Sequence, residues 1–192
     1  KILGFAPHIT ITTYSDDPIY RADTLLTTLE KYPEIKKAQA VVNGQAMIQS
    51  SDEISGVMFK GVDPIEGDIT DMRSYISRGQ YDLTSDSAGV PGIILGAALA
   101  RNLRADLGSV LTSYTIDGIP TPLNSPDIQQ FRVSGVYSTG IDRFDDVFAM
   151  VDRQYARELF QMPGQRASAV EITLNDSNQI HAFNEQPTSD IP

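Results

Sequence analysis

Three adjoining stretches decide the fold: VLTSYT at residues 110–115, IDGIPTPLNSPDI at residues 116–128, and FRVSGVYS at residues 131–138. The outer two are rich in β-branched and aromatic residues, a composition typical of strands. An ordinary hairpin loop has about 2 to 5 residues, and this connection is far longer. It contains three prolines, which stiffen it and prevent its edges from pairing. We therefore predict a projecting arm with apolar residues near its tip; the alternative is a disordered insertion.

Patterns on either side of this hairpin predict a mixture of strands and helices. Asp17 and Pro18 occupy positions typical of an N-cap and a first helical residue. The stretch 38–60 is predicted to be a long bent hairpin, in which Asn43-Gly44 is a turn signal and residues 50–53 form a turn. The order of elements predicts an α+β fold with mostly antiparallel sheets. The other predicted elements are strands at 7–14, 92–95, 147–151 and 170–174, helices at 18–32 (apolar face Ala22, Leu25, Leu26 and Leu29), 68–77, 96–103 and 153–162 (with Asp152 as its N-cap), and loops at 84–89 and 141–146.

Composition and charge narrow the functional class. The chain has 192 residues with Lys+Arg 15 and Asp+Glu 25, so its formal net charge is −10. That charge argues against nucleic acid as a partner and against electrostatic docking on anionic lipid. Cysteine is absent, which excludes disulfides, zinc-thiolate sites and thiol nucleophiles. No apolar run reaches the roughly 20 residues of a membrane helix. Because the chain starts at Lys1 without methionine, we expect it to be cut from a longer protein at both ends.

Catalytic and metal-binding motifs are sparse. His8 and His181 are the only histidines, nothing in the sequence places them together, and we expect surface or strand-edge positions for both. The chain lacks the Gly-x-Ser-x-Gly motif, the P-loop and the dinucleotide-binding glycine pattern. Two carboxylate clusters indicate a hydrolase or a calcium site as an alternative, although solvated loops and helix caps explain them more simply. These clusters are Asp142, Asp145, Asp146 and Asp152, and Asp63, Glu66, Asp68 and Asp71.

Five blocks, in order along nearly the whole chain, resemble the lipoprotein-releasing ABC transporter permeases of the LolC/LolE family. The first block, GFAPHI at residues 4–9 followed by Ile11 and Thr12, resembles the sequence just after the first membrane helix of these permeases. Each block is weak alone, and together they are fairly specific. The other four are GVMFKGVDP at 56–64, IILG at 93–96 with Leu99, Ala100, Leu107 and Gly108, FRVSGVYSTG at 131–140, and VFAMVDRQYARELF at 147–160.

This resemblance implies a large extracytoplasmic domain between the first and second membrane helices of an inner-membrane permease. The implied fold, shared with macrolide-exporter-type and FtsX-like permeases, is a mixed α/β Porter-like subdomain with an inserted β-rich Sabre-like subdomain. On this chain the Porter-like subdomain would comprise residues 1–65 and 167–192. The Sabre-like subdomain would comprise residues 66–166, with the projecting arm at 116–128. The family releases lipoproteins from the inner membrane and passes them to a periplasmic chaperone.

The resemblance also implies partners and a role without bond chemistry. The expected partners are the periplasmic chaperone, the lipoprotein cargo, a partner permease subunit and a cytoplasmic ATPase, which would carry out the ATP hydrolysis. No cofactor, metal or nucleic acid is expected. In the chaperone-recruiting subunit of the family, a hairpin arm projects at the position of residues 116–128. The residues expected to bind a partner are Ile119, Pro120, Thr121, Pro122 and Leu123 in the arm, and Thr112 and Gln129 at its base.

One departure from the family pattern leaves alternatives open. Chaperone-binding members carry basic residues in the strands at the base of the arm, where this chain has Thr112 and Gln129. Either the chaperone surface differs, or the chain is the partner subunit or another type of permease. The second hypothesis is a mechanotransmission or adaptor-binding domain of an FtsX-like or macrolide-exporter-type permease. The third is a carboxylate-dependent hydrolase or calcium-binding protein that uses Asp142, Asp145 and Asp146.

Overall fold

A computed structural model describes residues 6–14, 17–65, 69–115, 128–162 and 164–176. Within these ranges no helix has the length and apolar character needed to cross a membrane. The stretches rich in β-branched and aromatic residues form strands, as their composition predicts. In chain order the elements are β1 (Ile9–Ile11), α1 (Ala22–Leu29), β2 (Ile35–Gln49), β3 (Ile54–Val62), a 3-10 helix (Met72–Tyr75), β4 (Ile76–Gly79), β5 (Gly92–Gly96), α2 (Ala97–Asn102), β6 (Val110–Tyr114), β7 (Ile128–Tyr137), α3 (Asp142–Asp145), β8 (Phe148–Asp152), α4 (Arg153–Leu159) and β9 (Ala169–Leu174).

Six of these strands close into a ring, a feature that the sequence patterns did not indicate. The pairing runs β2–β3–β8–β5–β7–β6 and returns from β6 to β2. Two pairings, β3–β8 and β5–β7, are parallel, and the other pairings of the described strands are antiparallel. The predicted α+β fold with mostly antiparallel sheets is therefore confirmed. Burial of large apolar side chains favours the closed ring, and its interior contains Val42, Ile48, Phe59, Leu95 and Phe131 together with Leu99 of α2 and Ala156 of α4.

A second unit, named here the α1 lobe, consists of β1, α1, β9 and residues 35–41 of β2. Strand β9 pairs with β1 on one side and with β2 on the other. Helix α1 packs against this small sheet through Ala22, Leu25 and Leu29, the apolar face that its spacing predicts. Their contacts on the sheet include Val170 and Ile172. The long strand β2 thus belongs both to the α1 lobe and to the strand ring.

The outer wall of the ring at β5 and β8 is covered by the segment around the 3-10 helix. Met72 and Leu83 pack there against Ile94 and Met150. Tyr137 is fully buried in the same cluster, and its hydroxyl donates to the carbonyl oxygen of Phe148 at 3.0 Å. Burial raises the pKa of this phenol far above its usual range, so Tyr137 stays neutral. Outward side chains of β2, β3 and β6 remain partly or fully exposed over residues 45–49, 54–58 and 110–114.

Several local predictions need correction. Helix α1 begins at Ala22 after Arg21, so Asp17 does not cap it. Asn43-Gly44 forms no turn, because β2 continues through it and the chain reverses at residues 50–53. The segment predicted as a loop at 141–146 contains α3, and the helix predicted over 68–77 is a short 3-10 helix followed by β4. The N-cap of α4 is confirmed, since the Asp152 carboxylate accepts a hydrogen bond from the Gln154 backbone N–H at 2.8 Å.

Candidate partner-binding site

The strands β6 and β7 form the base of the predicted arm. They pair antiparallel from Val110 opposite Arg132 to Tyr114 opposite Ile128. Both strands are members of the ring, because β6 also pairs with β2 and β7 also pairs with β5. Ile119, Pro120, Thr121, Pro122 and Leu123, the predicted contact residues, lie outside the described part of the chain. The two ends of that connection are therefore anchored on adjacent strands of a closed sheet.

The two predicted base residues do not share a face. Thr112 pairs with Gln130, whereas Gln129 pairs with Ser113, one position further along β6. Because successive side chains of a strand point to opposite faces, Thr112 lies on the outer face and Gln129 on the inner one. The Gln129 side-chain amide donates to the backbone oxygen of Gln130 at 3.0 Å. A partner that binds the outer face of the β6–β7 pair therefore contacts Thr112 and not the side chain of Gln129.

The outer face beside Thr112 carries an apolar row that the sequence patterns did not indicate. Tyr114 is paired with Met47 of β2 on one side and with Ile128 of β7 on the other. Met47 and Tyr114 are half-buried, and Ile128 is 64% exposed. Three segments that are distant in the sequence supply this row, so only the register of the ring brings them together. The sequence signal for this row is Met47, because methionine is common on adaptable binding surfaces.

A shallow groove of about 320 Å³ continues from this row across β2 and β3. Gly56 forms part of its floor, and a Cβ added at this glycine would meet no atom within 4 Å. Val147, at the edge of the groove, is 41% exposed. No charged side chain lines the groove, whose lining consists of Gln45, Ala46, Met47, Gly56, Val57, Met58 and Val147. An apolar surface therefore extends along the wall to which the 116–127 connection is anchored.

The strands of the arm base offer little positive charge. Arg132 is the only charged residue of β6 and β7, and its Nε lies 3.2 Å from the Asp86 carboxylate. Asp86 also accepts hydrogen bonds from the backbone N–H groups of Val90 and Ala88. These contacts, the Val90 N–H first and Arg132 after it, hold the pKa of the Asp86 carboxyl below its usual value, so the pair stays ionised near neutral pH. The positive charge of Arg132 is thus compensated within the domain.

One candidate histidine and one candidate carboxylate, His8 and Asp145, have structural partners. His8 Nδ1 accepts a hydrogen bond from the Leu174 backbone N–H at 2.9 Å, as a strand-edge histidine would, and His181 lies outside the described residues. The buried Asp145 carboxylate accepts from Thr139 N–H and Oγ1 and from Ser138 Oγ. Over the described ranges, no three His, Cys, Asp or Glu side chains are grouped so that they could hold a metal ion.

Comparison with known proteins decides the family. The model of the MacB-like periplasmic core domain matches residues 5–188, which is nearly the whole chain. The chain belongs to the MacB-like periplasmic core domains. Among the curated relatives of this MacB-like domain is the lipoprotein-releasing system transmembrane protein LolC of Neisseria meningitidis serogroup B, which is 32% identical over 188 residues. The match covers 95% of the chain and 44% of LolC, so the chain spans less than half of that relative's length.

Solved structures agree with the MacB-like fold. The periplasmic region of MacB from Actinobacillus actinomycetemcomitans superposes with a TM-score of 0.57 at 15% identity, covering 96% of this chain and 83% of that one. The extracellular domain of the noncanonic ABC-type transporter YknZ from Gram-positive bacteria gives a TM-score of 0.56 at 15% identity, covering 83% and 76%. At this identity the likeness establishes the fold alone. The resemblance inferred from the five sequence blocks is therefore confirmed at the level of family and fold.

Proposed function

We propose that this MacB-like domain is the extracytoplasmic part of an inner-membrane ABC permease that releases lipoproteins and passes them to a periplasmic chaperone. The observation that carries the proposal is the 32% identity to LolC over 95% of the chain. In this proposal the domain binds partners and transmits movement without bond chemistry, and a cytoplasmic ATPase supplies the energy. A partner permease subunit and the lipoprotein cargo complete the assembly.

The arm base supports a docking role on mechanical grounds. Both ends of the 116–127 connection attach to neighbouring strands of a closed ring, so we expect a load on the proposed arm to reach these strand pairings directly. We propose that Ile119 to Leu123 make the partner contact at the tip and that Thr112 extends it along the outer face with Tyr114 and Ile128. Since Gln129 lies on the other face, we expect it to contribute less.

The division into two subdomains remains a prediction of its own. Residues 1–65 and 167–192 are proposed as the Porter-like subdomain and residues 66–166 as the Sabre-like one. Strands β2 and β3 belong to the first part by sequence, and they complete the ring with β5, β6, β7 and β8 of the second. We therefore expect the two parts to unfold together. Separate transitions for the two parts in calorimetry would contradict this expectation.

A pull-down with the purified periplasmic chaperone tests the function. Wild-type domain is expected to retain the chaperone, and deletion of residues 119–124 is expected to abolish retention because the tip contacts are lost. Substitution of Ser51 and Asp52 by glycine in the β2–β3 turn is the matched control, since this exposed turn lies in a different connection. Undiminished binding after the deletion would reject the role of the arm.

Two further observations separate the alternatives. If the domain retains an adaptor or a cell-wall hydrolase and not the chaperone, the mechanotransmission hypothesis replaces ours. The flanking gene sequence provides an independent check, because the proposal requires apolar segments of about 20 residues before and after this domain. A gene that encodes a signal peptide and a stop codon directly around this segment would contradict a permease.

A further inference from the structure

A buried ionic cluster joins the α1 lobe to the strand ring. Lys60 Nζ of β3 lies 2.8 Å from Glu171 Oε2 of β9, and the two side chains are only 13% and 7% exposed. Gln39 of β2, also buried, donates from Nε2 to the same carboxylate oxygen at 2.9 Å. Because β2 lies between β9 and β3 in the sheet, the ion pair spans β2 from one neighbour to the other. One end of the pair is in the α1 lobe and the other is in the ring.

The strand beneath this cluster changes its neighbour within one residue. Val41 is the last residue of β2 that pairs with β9, and Val42 is the first that pairs with β3. Just beyond this change, the Asn43 side-chain oxygen is buried and accepts no hydrogen bond within the described structure. Gly44 follows, and glycine within a strand often marks a bend or a close approach. The Asn43 backbone N–H donates to Ser168 Oγ, which itself donates to the Val41 carbonyl oxygen. The junction between the two units is therefore a continuous strand with hydrogen bonds to the residue just before β9.

Burying an ion pair is an unusual way to gain stability. The cost of removing both charges from water offsets much of their attraction, and an apolar pair of similar volume is often as stabilising. Two short contacts to one carboxylate oxygen, at 2.8 Å from Lys60 and 2.9 Å from Gln39, are nevertheless kept only while the strands that carry these groups hold one spacing. Apolar contact would tolerate a range of angles at similar energy. The placement of Lys60 and Glu171 thus suits control of orientation better than adhesion alone.

We propose that Lys60, Glu171 and Gln39 form a latch that sets the angle between the α1 lobe and the strand ring, with the change of partner at residues 41–42 of β2 as the pivot. Breaking the latch lets the lobe turn relative to the ring while the continuous strand keeps them attached. A second contact between the ring and the lobe, from Arg153 of α4 to the Ala40 carbonyl oxygen at 2.9 Å, lies beside this pivot, so it keeps the two units attached there. The latch goes beyond the proposed function, because it concerns movement within the domain and does not depend on which partner the domain binds.

Distance measurements between the two units test the latch directly. The chain has no cysteine, so cysteines introduced at exposed Thr27 of α1 and Arg101 of α2 carry the only spin labels. Unmodified domain is expected to give one narrow distance distribution. The apolar double variant Lys60→Met/Glu171→Leu keeps the site filled and removes the ion pair, so its distribution is expected to broaden or split. The exchanged variant Lys60→Glu/Glu171→Lys is expected to narrow it again.

Controls separate the latch from a loss of stability. Arg78→Met removes an ion pair with Asp106 whose side chains are 51% and 74% exposed, and it is expected to leave the distribution unchanged. Glu171→Gln leaves Lys60 charged, and amide exchange in β9 is expected to accelerate about a hundredfold or more, while ring amides stay protected. A narrow, unshifted distribution in the folded apolar double variant would overturn the proposal. This outcome does not depend on chaperone binding, so it is distinguishable from failure of the proposed function.

Discussion

Replacing Asp145 by alanine is expected to destabilise the domain strongly, because this carboxylate organises the turn between β7 and α3. It is 3% exposed and accepts from the Thr139 N–H at 3.0 Å, from Thr139 Oγ1 at 2.7 Å and from Ser138 Oγ at 3.3 Å. Its backbone also lies against Gly96 at the start of α2, where an added Cβ would be 2.1 Å from the Asp145 carbonyl oxygen. The turn therefore holds β7, α2 and α3 in close contact.

The magnitude follows from the donors that lose their acceptor. A buried donor without a partner costs about 1–3 kcal/mol, and a bond to a charged acceptor contributes toward the upper end. Thr139 is only partly buried, so water recovers part of its loss. We expect Asp145→Ala to lower the free energy of unfolding by about 3–4 kcal/mol. For a chain of this size that corresponds to a decrease in Tm of about 10 °C.

Urea unfolding followed by circular dichroism measures this change, with two variants for comparison. Asp145→Asn keeps the shape and one acceptor, so we expect a loss of only about 1–2 kcal/mol. Asp142→Ala removes an exposed carboxylate from the same helix and is expected to cost at most about 0.5 kcal/mol. Equal stability of the Asp145 and Asp142 alanine variants would refute the reasoning. Saturable stabilisation by calcium that depends on Asp145 would instead favour the metal-binding hypothesis.

Three further predictions concern other parts of the domain. A Cβ at Gly44 would lie 2.6 Å from ring atoms of Phe160, so Gly44→Ala is expected to cost about 1–3 kcal/mol, and Phe160→Leu should recover part of it in a double-mutant cycle. Burial raises the pKa of Asp152 above its usual value of 3.8, so the folded domain favours the neutral carboxyl. Stability therefore falls as pH rises from 3.8 through the raised pKa. Asn is an equivalent N-cap, so Asp152→Asn is expected to be at least as stable as the wild type at neutral pH. Measurements of Tm against pH should show this advantage disappearing in acid, where Asp152 is neutral. Phe59→Ala removes a ring 5.6 Å from that of Phe131 and is expected to cost about 3–5 kcal/mol in urea unfolding.

Local patterns predicted individual elements well where one signal dominated. Alternation at residues 131–138 gave a strand that the structure contains, and Asp152 caps α4 as its position indicates. Asn43-Gly44 shows the limit of such signals, because tertiary pairing with β3 overrides the turn preference of this dipeptide. Where a residue pair belongs to a long strand with partners on both edges, propensity alone cannot place it.

Closure of the ring could not be predicted from periodicity. It depends on three residues of β2, 47–49, pairing with β6, and on two parallel pairings between strands that are distant in the sequence. Alternation says which side chains share a face of a strand, and it does not say which strand lies next to it. The pattern at 170–174 likewise makes Glu171 an outward residue, and only the position of β3 explains why it is buried beside Lys60.

Prediction of the candidate site failed in part for the same reason, because the sequence did not determine the register between β6 and β7. Thr112 and Gln129 are both adjacent to the long connection, and a short hairpin loop would have fixed which residues oppose each other. A connection of this length leaves the register open, so a shift of one residue would have put both on one face. The observed register separates them and joins Thr112 to a row that contains Tyr114. Family resemblance predicts an arm at residues 116–128, and strand pairing determines which side chains the β6–β7 base presents.

The long strand β2 connects the two features that we propose to be functional. Its residues 47–49 pair with β6 at the arm base, and its residue 39 belongs to the ionic latch. At about 3.3 Å per residue, some 30 Å of continuous strand separates them. A partner that pulls on the proposed arm therefore acts on an element whose other end carries the change of partner at residues 41–42. If the latch transmits this force, chaperone binding should change the distance distribution between α1 and α2 in the wild-type domain and not in the apolar double variant. Identical responses in both would show that the arm and the latch act independently.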